Sequence, residues 1–285
     1  MEKSFPRTQV ENVSLSRMII GTNWLLGWSH TGPAADRRIT EHYDSAEKFF
    51  PILREYLAHG VDTIMGPLST NPLLGDVIRD AEQHFGHKFV IVDTPIIDVS
   101  DSATARRSAQ EVIAASARLG SDICLIHHSS AEQLVNKNKG TMDRLEDYTR
   151  MIRDAGMVPG LSAHMPELVV YSDENGYDVQ TYIQIFNCMG FMMQVEIESV
   201  AKIIHGAKKP VMTIKPMAAG RCTPYVGLTF SWNAVRPCDM VTVGAFTADE
   251  AAEDIEISLA ALQHRFPELG KRSSPNEEQA AFGAH

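Results

Sequence analysis

The sequence has no apolar run approaching the roughly 20 residues that a membrane-spanning helix needs. Its first sixteen residues, MEKSFPRTQVENVSLS, contain no apolar signal segment. Membrane insertion is therefore not expected, and a cytoplasmic location is. Basic charge is also in short supply, with 26 Lys and Arg against 36 Asp and Glu and a net charge of −10. A surface of that sign repels phosphate backbones and anionic lipid, so neither nucleic acid nor a membrane is an expected partner. Cysteine is scarce as well. Cys124, Cys188, Cys222 and Cys238 form no CxxC pair, which speaks against a thiol-based zinc site, and Cys124 lies within an apolar run that reads as core. HxH and HExxH spacings are missing. A glycine-rich phosphate turn is missing too: after the first apolar run the chain reads GTNWLLG, a poor match to the turn that an open doubly wound sheet uses to hold a dinucleotide.

What the chain does have is a repeated alternation. Eight short apolar runs recur: MIIGT (18–22), VDTIMG (61–66), KFVIVDTP (88–95), DICLIHH (122–128), VPGLSAH (158–164), TYIQIFN (181–187), PVMTIKP (210–216) and MVTVGAF (240–246). They are continuously apolar rather than alternating, as parallel strands buried on both faces require. Helical patterns lie between them. Phe49, Ile52, Leu53 and Leu57 mark 45–60, where Pro51 shifts the start or kinks the helix. Asn71 and Pro72 open the segment 71–86 as cap and first turn. Segments 102–120, 141–156 and 194–206 follow, and Thr247 with Glu250 forms a capping box at the start of 247–266. Gly60, Gly86, Gly120, Gly156 and Gly206 stand where left-handed helix stops are expected. Eight strand–helix units with right-handed crossovers close into a (β/α)8 TIM barrel, an α/β fold of about 250 residues. One barrel domain over 1–269 is expected, followed by a polar, disordered tail over 270–285.

In such a barrel the chemistry gathers where the strands end. Strand one ends near Asn23 and Trp24, followed by Trp28 and His30; strand three ends in Asp93, strand four in His127 and His128, strand five in His164, strand six in Asn187 and strand seven in Lys215. Because side chains alternate, only one of His127 and His128 is expected to point inward. The inward bets are Asp93, sharing a face with Phe89 and Ile91; His127, sharing one with Ile123 and Leu125; and Lys215, sharing one with Val211 and Thr213. Each also has a plainer role. Asp93 could cap the turn before Pro95, His128 could be a hydrogen-bonded loop residue, and Lys215 could be an ion-pair partner of Asp93. Trp24 and Trp28 could form a lid, although aromatic faces also stack on sugar rings. Met189, Met192 and Met193 read as gap-fillers.

Four stretches together resemble the aldo/keto reductase superfamily. VSLSRMIIGTNW is similar to that family's first hairpin running into strand one, DICLIHHSS to its fourth strand, KKPVMTIKPMAAGR to its seventh strand and loop, and VTVGAFTADEAAEDI to its last strand and helix. The resemblance implies the barrel and an active-site histidine at His127. It also implies an aspartate and a tyrosine after strand two and a lysine at the end of strand three. The sequence departs from that set: Met65 and Gly66 stand in the aspartate's place, no tyrosine follows, and strand three ends in Asp93. The loop and helix GAFTADEAAEDIE offer no Arg or Lys for a nucleotide 2′-phosphate, with Arg221 the only nearby candidate, so tight NAD(P) binding is not expected.

The leading expectation is an enzyme of non-redox acid–base chemistry, of lyase, epimerase or hydrolase type, on a small polar, carbohydrate-like substrate. His127 would be the general acid or base, since its ordinary pKa lies nearest neutrality. Asp93 would orient it and Lys215 would stabilise an oxyanion. Asn23, Trp24, Trp28, His30, Asn187 and Arg221 would bind the substrate. Two variants stand beside this: a divalent metal, zinc or manganese, held by Asp93, His127 and His164, and an aldolase whose Lys215 is a Schiff-base nucleophile. An NAD(P)-dependent reductase is the alternative from another reaction class, and a non-catalytic metabolite-binding barrel is a third. A homo-oligomer is compatible with all of them.

Overall fold

The computed structural model describes residues 4–269; the expected tail at 270–285 lies outside the described residues. Eight strands form a closed barrel: β1 (Met18–Gly21), β2 (Thr63–Gly66), β3 (Val90–Asp93), β4 (Ile123–Ile126), β5 (Val158–Ala163), β6 (Tyr182–Ile185), β7 (Val211–Ile214) and β8 (Met240–Val243). Every neighbouring pair is parallel, and β8 closes onto β1 through Val241↔Met18, Thr242↔Ile19 and Val243↔Ile20. The (β/α)8 architecture read from the eight apolar runs is the observed one.

The runs are apolar throughout because both faces of each strand are buried. Ile19, Met65, Val92, Ile123, Leu125, Ile183, Met212 and Met240 fill the barrel interior. Ile20, Ile64, Ile91, Ile126, Leu161, Val211 and Val243 face the helical layer. A hairpin of Arg7–Val10 and Val13–Ser16 precedes β1 and adds Val10 and Leu15 to the interior cluster. It seals the N-terminal end of the barrel, so the opening lies at the other end. Gly160 of β5 shows how tight the interior is. A Cβ there would sit 2.7 Å from Leu125 Cγ, a contact that a packed core relieves only by shifting.

The helix signals translate closely into structure. Pro51 does not kink its helix; it stands in the first turn of Phe50–Ala58, behind a short 3-10 turn at Ala46–Phe49. Asn71 Oδ1 accepts from the Leu74 N–H at the start of Pro72–Phe85. The capping box of Thr247 and Glu250 opens Ala248–Leu262. Gly60, Gly86, Gly120 and Gly156 adopt positive φ, whereas Gly206 stays helical and its helix ends at Ala207 in extended backbone. Helices at Pro33–His42, Glu167–Asn175 and Pro224–Ala234 complete the fold. Among the described residues no helix is long and apolar enough to cross a membrane.

Candidate active site

A cavity of about 760 Å³ occupies the C-terminal mouth of the barrel. Its floor includes the interior residues Met65, Ile183 and Ile214, and its walls come from the loops after β1, β4, β5, β7 and β8. Trp24, Trp28, Asn23, His30 and Arg221 all line it, so five of the six substrate-binding candidates share one space.

Lys215 is the cation at its centre. Its register-mates Val211 and Thr213 point out of the barrel, Val211 into the helical layer and Thr213 to a hydrogen bond on the Met240 carbonyl. Plain alternation would carry Lys215 outward with them, contrary to the phase expected from the sequence. Instead the strand ends at Ile214 and Lys215 takes a left-handed backbone, φ 62°, so that Ile214 and Lys215 both line the cavity. A non-glycine residue in that region carries strain, and the strain here places the amine. Lys215 Nζ lies 2.8 Å from His30 Nε2. Burial pulls its pKa from 10.5 down to about 8. Among the described residues no carboxylate lies within ion-pair distance of it. His30 is presented by a loop pinned through Ser29, whose N–H and hydroxyl both donate to Asp36 Oδ1 at 2.9 and 2.7 Å. Arg221 donates to the Ala218 carbonyl at 3.1 Å and lies 3.9 Å over the Phe191 ring.

Three imidazoles line the same end. His127 continues the inward phase of Ile123 and Leu125, as expected, with Nδ1 2.8 Å from Ser129 Oγ. The expectation that His128 faces away does not hold. β4 stops at Ile126 and a helical turn begins at His128, so strand alternation no longer applies and both rings line the cavity. His128 stacks on His164, with centroids 3.6 Å apart and planes 15° apart. Burial lowers all of their pKa values. His127 falls to about 4, reinforced by His128, and His164 to about 3, reinforced by His128 and Lys215. His30 and His128 move down for the same reason. Burial thus favours the neutral imidazoles, and Lys215, at about 8, titrates closer to neutrality than His127, at about 4.

Two sequence candidates do not reach the cavity. Asp93 shares the outer face of β3 with Phe89 and Ile91, while Val90 and Val92 point inward. It is 0% exposed, and its Oδ1 accepts from the N–H groups of Leu68 and Ser69 at 2.7 and 3.2 Å. It holds the loop after β2, is not among the residues lining the cavity, and is not part of the cluster of possible ligands found among the described residues. Asn187 is likewise 0% exposed. Its Oδ1 accepts from Met189 and Phe191, and its Nδ2 donates to the Phe191 carbonyl, which shapes the loop after β6. The trio Asp93, His127 and His164 is thus not assembled. His128, Glu132 and His164 are, with one ligand atom from each within 4.8 Å of the others. Two imidazoles and a carboxylate suit zinc or manganese. The near-parallel rings, however, aim their lone pairs side by side, so one ring must turn before both can meet one ion. The one-turn spacing His128-x-x-x-Glu132 is the signal that pointed to this set.

Three ionisable residues outside the strand ends, Arg38, Glu250 and Asp254, also line the cavity. Asp254 is buried, and burial, with help from Glu250 and Glu253, raises its carboxyl to about 8. Its signal was an acid among Ala251, Ile255 and Ser258 on the core-facing stripe of Ala248–Leu262. The cavity therefore gathers amine, imidazole and carboxyl groups in one space.

No family model matches the chain, and no curated protein matches it. Solved structures do. Two structures of a protein from Pseudomonas aeruginosa assigned to the aldo-keto reductases share 15% and 17% identity with it. They align over 90% of this chain and 95% and 94% of theirs, with TM-scores of 0.60 and 0.61. A glycerol dehydrogenase from Gluconobacter oxydans shares 12% identity over 99% of this chain and 95% of its own, with a TM-score of 0.59. At such identities the likeness is one of fold. What the chain shares with these structures is the TIM-barrel architecture.

Proposed function

We propose that this chain is an enzyme of non-redox acid–base chemistry, of lyase or isomerase type, acting on a small polar substrate that carries a carbonyl group. What carries the reading is the contact of Lys215 Nζ with His30 Nε2 at 2.8 Å in the cavity at the barrel mouth. An amine that titrates near pH 8 exists in both protonation states under ordinary conditions, the property required of a proton-transfer group. His30 is neutral and within hydrogen-bond reach, so it can accept a proton from Nζ or relay one. The protonated amine stabilises negative charge developing on a carbonyl oxygen. His127, His128 and His164, held neutral by burial, are available as acceptors around the reacting carbon.

The reductase reading gains less support. Hydride transfer needs a donor for the alkoxide, and no tyrosine follows β2. Around the start of Ala248–Leu262 the cavity is lined by Glu250 and Asp254 as well as Arg38, so carboxyl groups outnumber the one basic partner there for a nucleotide phosphate. Proton NMR in D2O over a panel of small ketones, oxo acids and sugars tests the proposal. Exchange at the carbon beside a carbonyl is expected, and Lys215→Met is expected to lose it. Carbonyl-dependent oxidation of NADPH with no such exchange would replace this reading by the reductase one.

A further inference from the structure

We propose that Lys215 reacts covalently, its Nζ forming an imine with the carbonyl carbon of a small oxo acid. The inference rests on the acid–base reading above and deepens it. A lysine at the end of a strand usually has a structural explanation in an ion pair, and Asp93 was the partner available in the sequence. Asp93 instead lies on the outer face of its strand, bonded to Leu68 and Ser69. Lys215 is left among His30, His128, His164 and Arg221, with no carboxylate in ion-pair reach among the described residues. Burying an unpaired ammonium is unfavourable, so burial shifts Lys215 toward its amine form.

An amine of this kind is a nucleophile. With its pKa near 8, the unprotonated fraction at pH 7 is roughly 10²-fold that of an ordinary lysine. After Lys215 the backbone returns to negative φ at Met217 and is left-handed again at Ala218, Ala219 and Gly220. The whole β7 loop is thus bent to set the amine beside Ile214, inside the rim. The class of carbonyl follows from charge: with Lys215 acting as the amine, Arg221, against the His30 carbonyl, remains as a cation lining the cavity and favours a substrate bearing a carboxylate.

The Nζ lone pair attacks the carbonyl carbon, and its C–O π pair moves to oxygen, which takes up a proton. The nitrogen gives a proton to His30 Nε2. A second proton on the hydroxyl lets it leave as water, and the nitrogen lone pair forms the C=N bond. The resulting iminium draws in the electron pair of an adjacent C–H or C–C bond as that bond breaks, and reprotonation followed by hydrolysis returns the amine. No oxidant or reductant is consumed.

The test is reductive trapping. Full-length protein is incubated at pH 7 with pyruvate or, separately, with the uncharged ketone dihydroxyacetone, in the presence of cyanoborohydride, and the adduct is located by peptide mass mapping. One adduct on Lys215 is expected, formed with pyruvate faster than with dihydroxyacetone and absent in Lys215→Met. Lys215→Arg, which keeps the charge, is expected to form none either while retaining the native circular dichroism spectrum and melting transition, so loss of the adduct is not loss of the fold. Labelling of exposed lysines such as Lys88 and Lys137 at the same rate as Lys215 would overturn the inference. A preference for dihydroxyacetone would overturn the oxo-acid assignment. Proton exchange beside a carbonyl without any adduct would overturn covalent catalysis and leave the acid–base reading standing, whereas absence of both would remove the two together.

Discussion

Asp93 at the end of β3 and Lys215 just past the end of β7 look alike in the sequence. Each closes an apolar run, each is followed within two residues by a proline, and each is two residues from its nearest same-face apolar or small neighbour. In the structure they part. Asp93 keeps the alternation of its strand, stays on the outer face with Phe89 and Ile91, and spends its oxygen on two backbone N–H groups. Lys215 abandons alternation through a single left-handed residue and turns into the mouth. An ionisable side chain at the rim of a barrel is thus a site residue or a loop clamp according to one backbone torsion pair, and a carboxylate and an amine that seemed to form a pair serve different tasks on opposite sides of the wall.

The sharpest way to break this comparison is at Lys215. Replacement by Met should lower turnover by at least 10²–10⁴, the usual share of a proton-transfer group, while stability stays level or rises because a buried, unpaired amine is removed. Steady-state rates and urea midpoints read the two effects separately. A variant that keeps its activity would place Lys215 with Asp93 among the structural residues.

Asp93→Ala should do the reverse. It strands the N–H groups of Leu68 and Ser69 in a buried loop, at about 1–3 kcal/mol of unfolding free energy. The protein that remains folded should turn over with nearly the wild-type kcat. A loss of kcat comparable to that of Lys215→Met would mean that the loop after β2 feeds the chemistry.

The imidazoles distinguish the two sides through pH. His164 and His127 have native pKa values near 3 and 4 against 6.5 when unfolded. The unfolded chain therefore binds protons that the native chain refuses, and stability present above pH 6.5 should be lost progressively as pH falls toward 3. His164→Asn should flatten that slope in denaturant titrations at stepped pH. For catalysis the expected profile is a rise in the exchange rate as pH climbs through about 8, where Lys215 gives up its proton. The smallest effect is expected at Trp28, which is 49% exposed on the rim: Trp28→Ala should raise KM a few-fold, roughly what one partly exposed aromatic contact is worth, and leave kcat unchanged.

How much of the site was legible follows from where local rules hold. His127 was readable because β4 is regular up to Ile126, and the inward phase of Ile123 and Leu125 carries one residue further. His128 was not, because the chain turns helical immediately after and brings the next side chain round to the same cavity. Asn23, Trp24, Trp28, His30 and Arg221 were found because loops at the strand ends of a barrel have one common space to face. Asn187 sits in such a loop as well, but its amide is consumed by the backbone of Met189 and Phe191. Asp254 lay on a helix, outside the strand-end inventory, although an acid on an apolar stripe is itself a signal.

The sequence by itself determined the barrel. Runs apolar on both faces can be buried only between an interior and a helical layer, and eight of them, separated by capped helices, leave closure as the economical arrangement. It also determined that ionisable side chains would collect at one rim. Which of them face the cavity was decided only in three dimensions. Register with neighbouring strands, one left-handed residue at Lys215 and one helical turn at His128 set the directions of side chains, and these depend on contacts between segments far apart in the chain that no local period encodes.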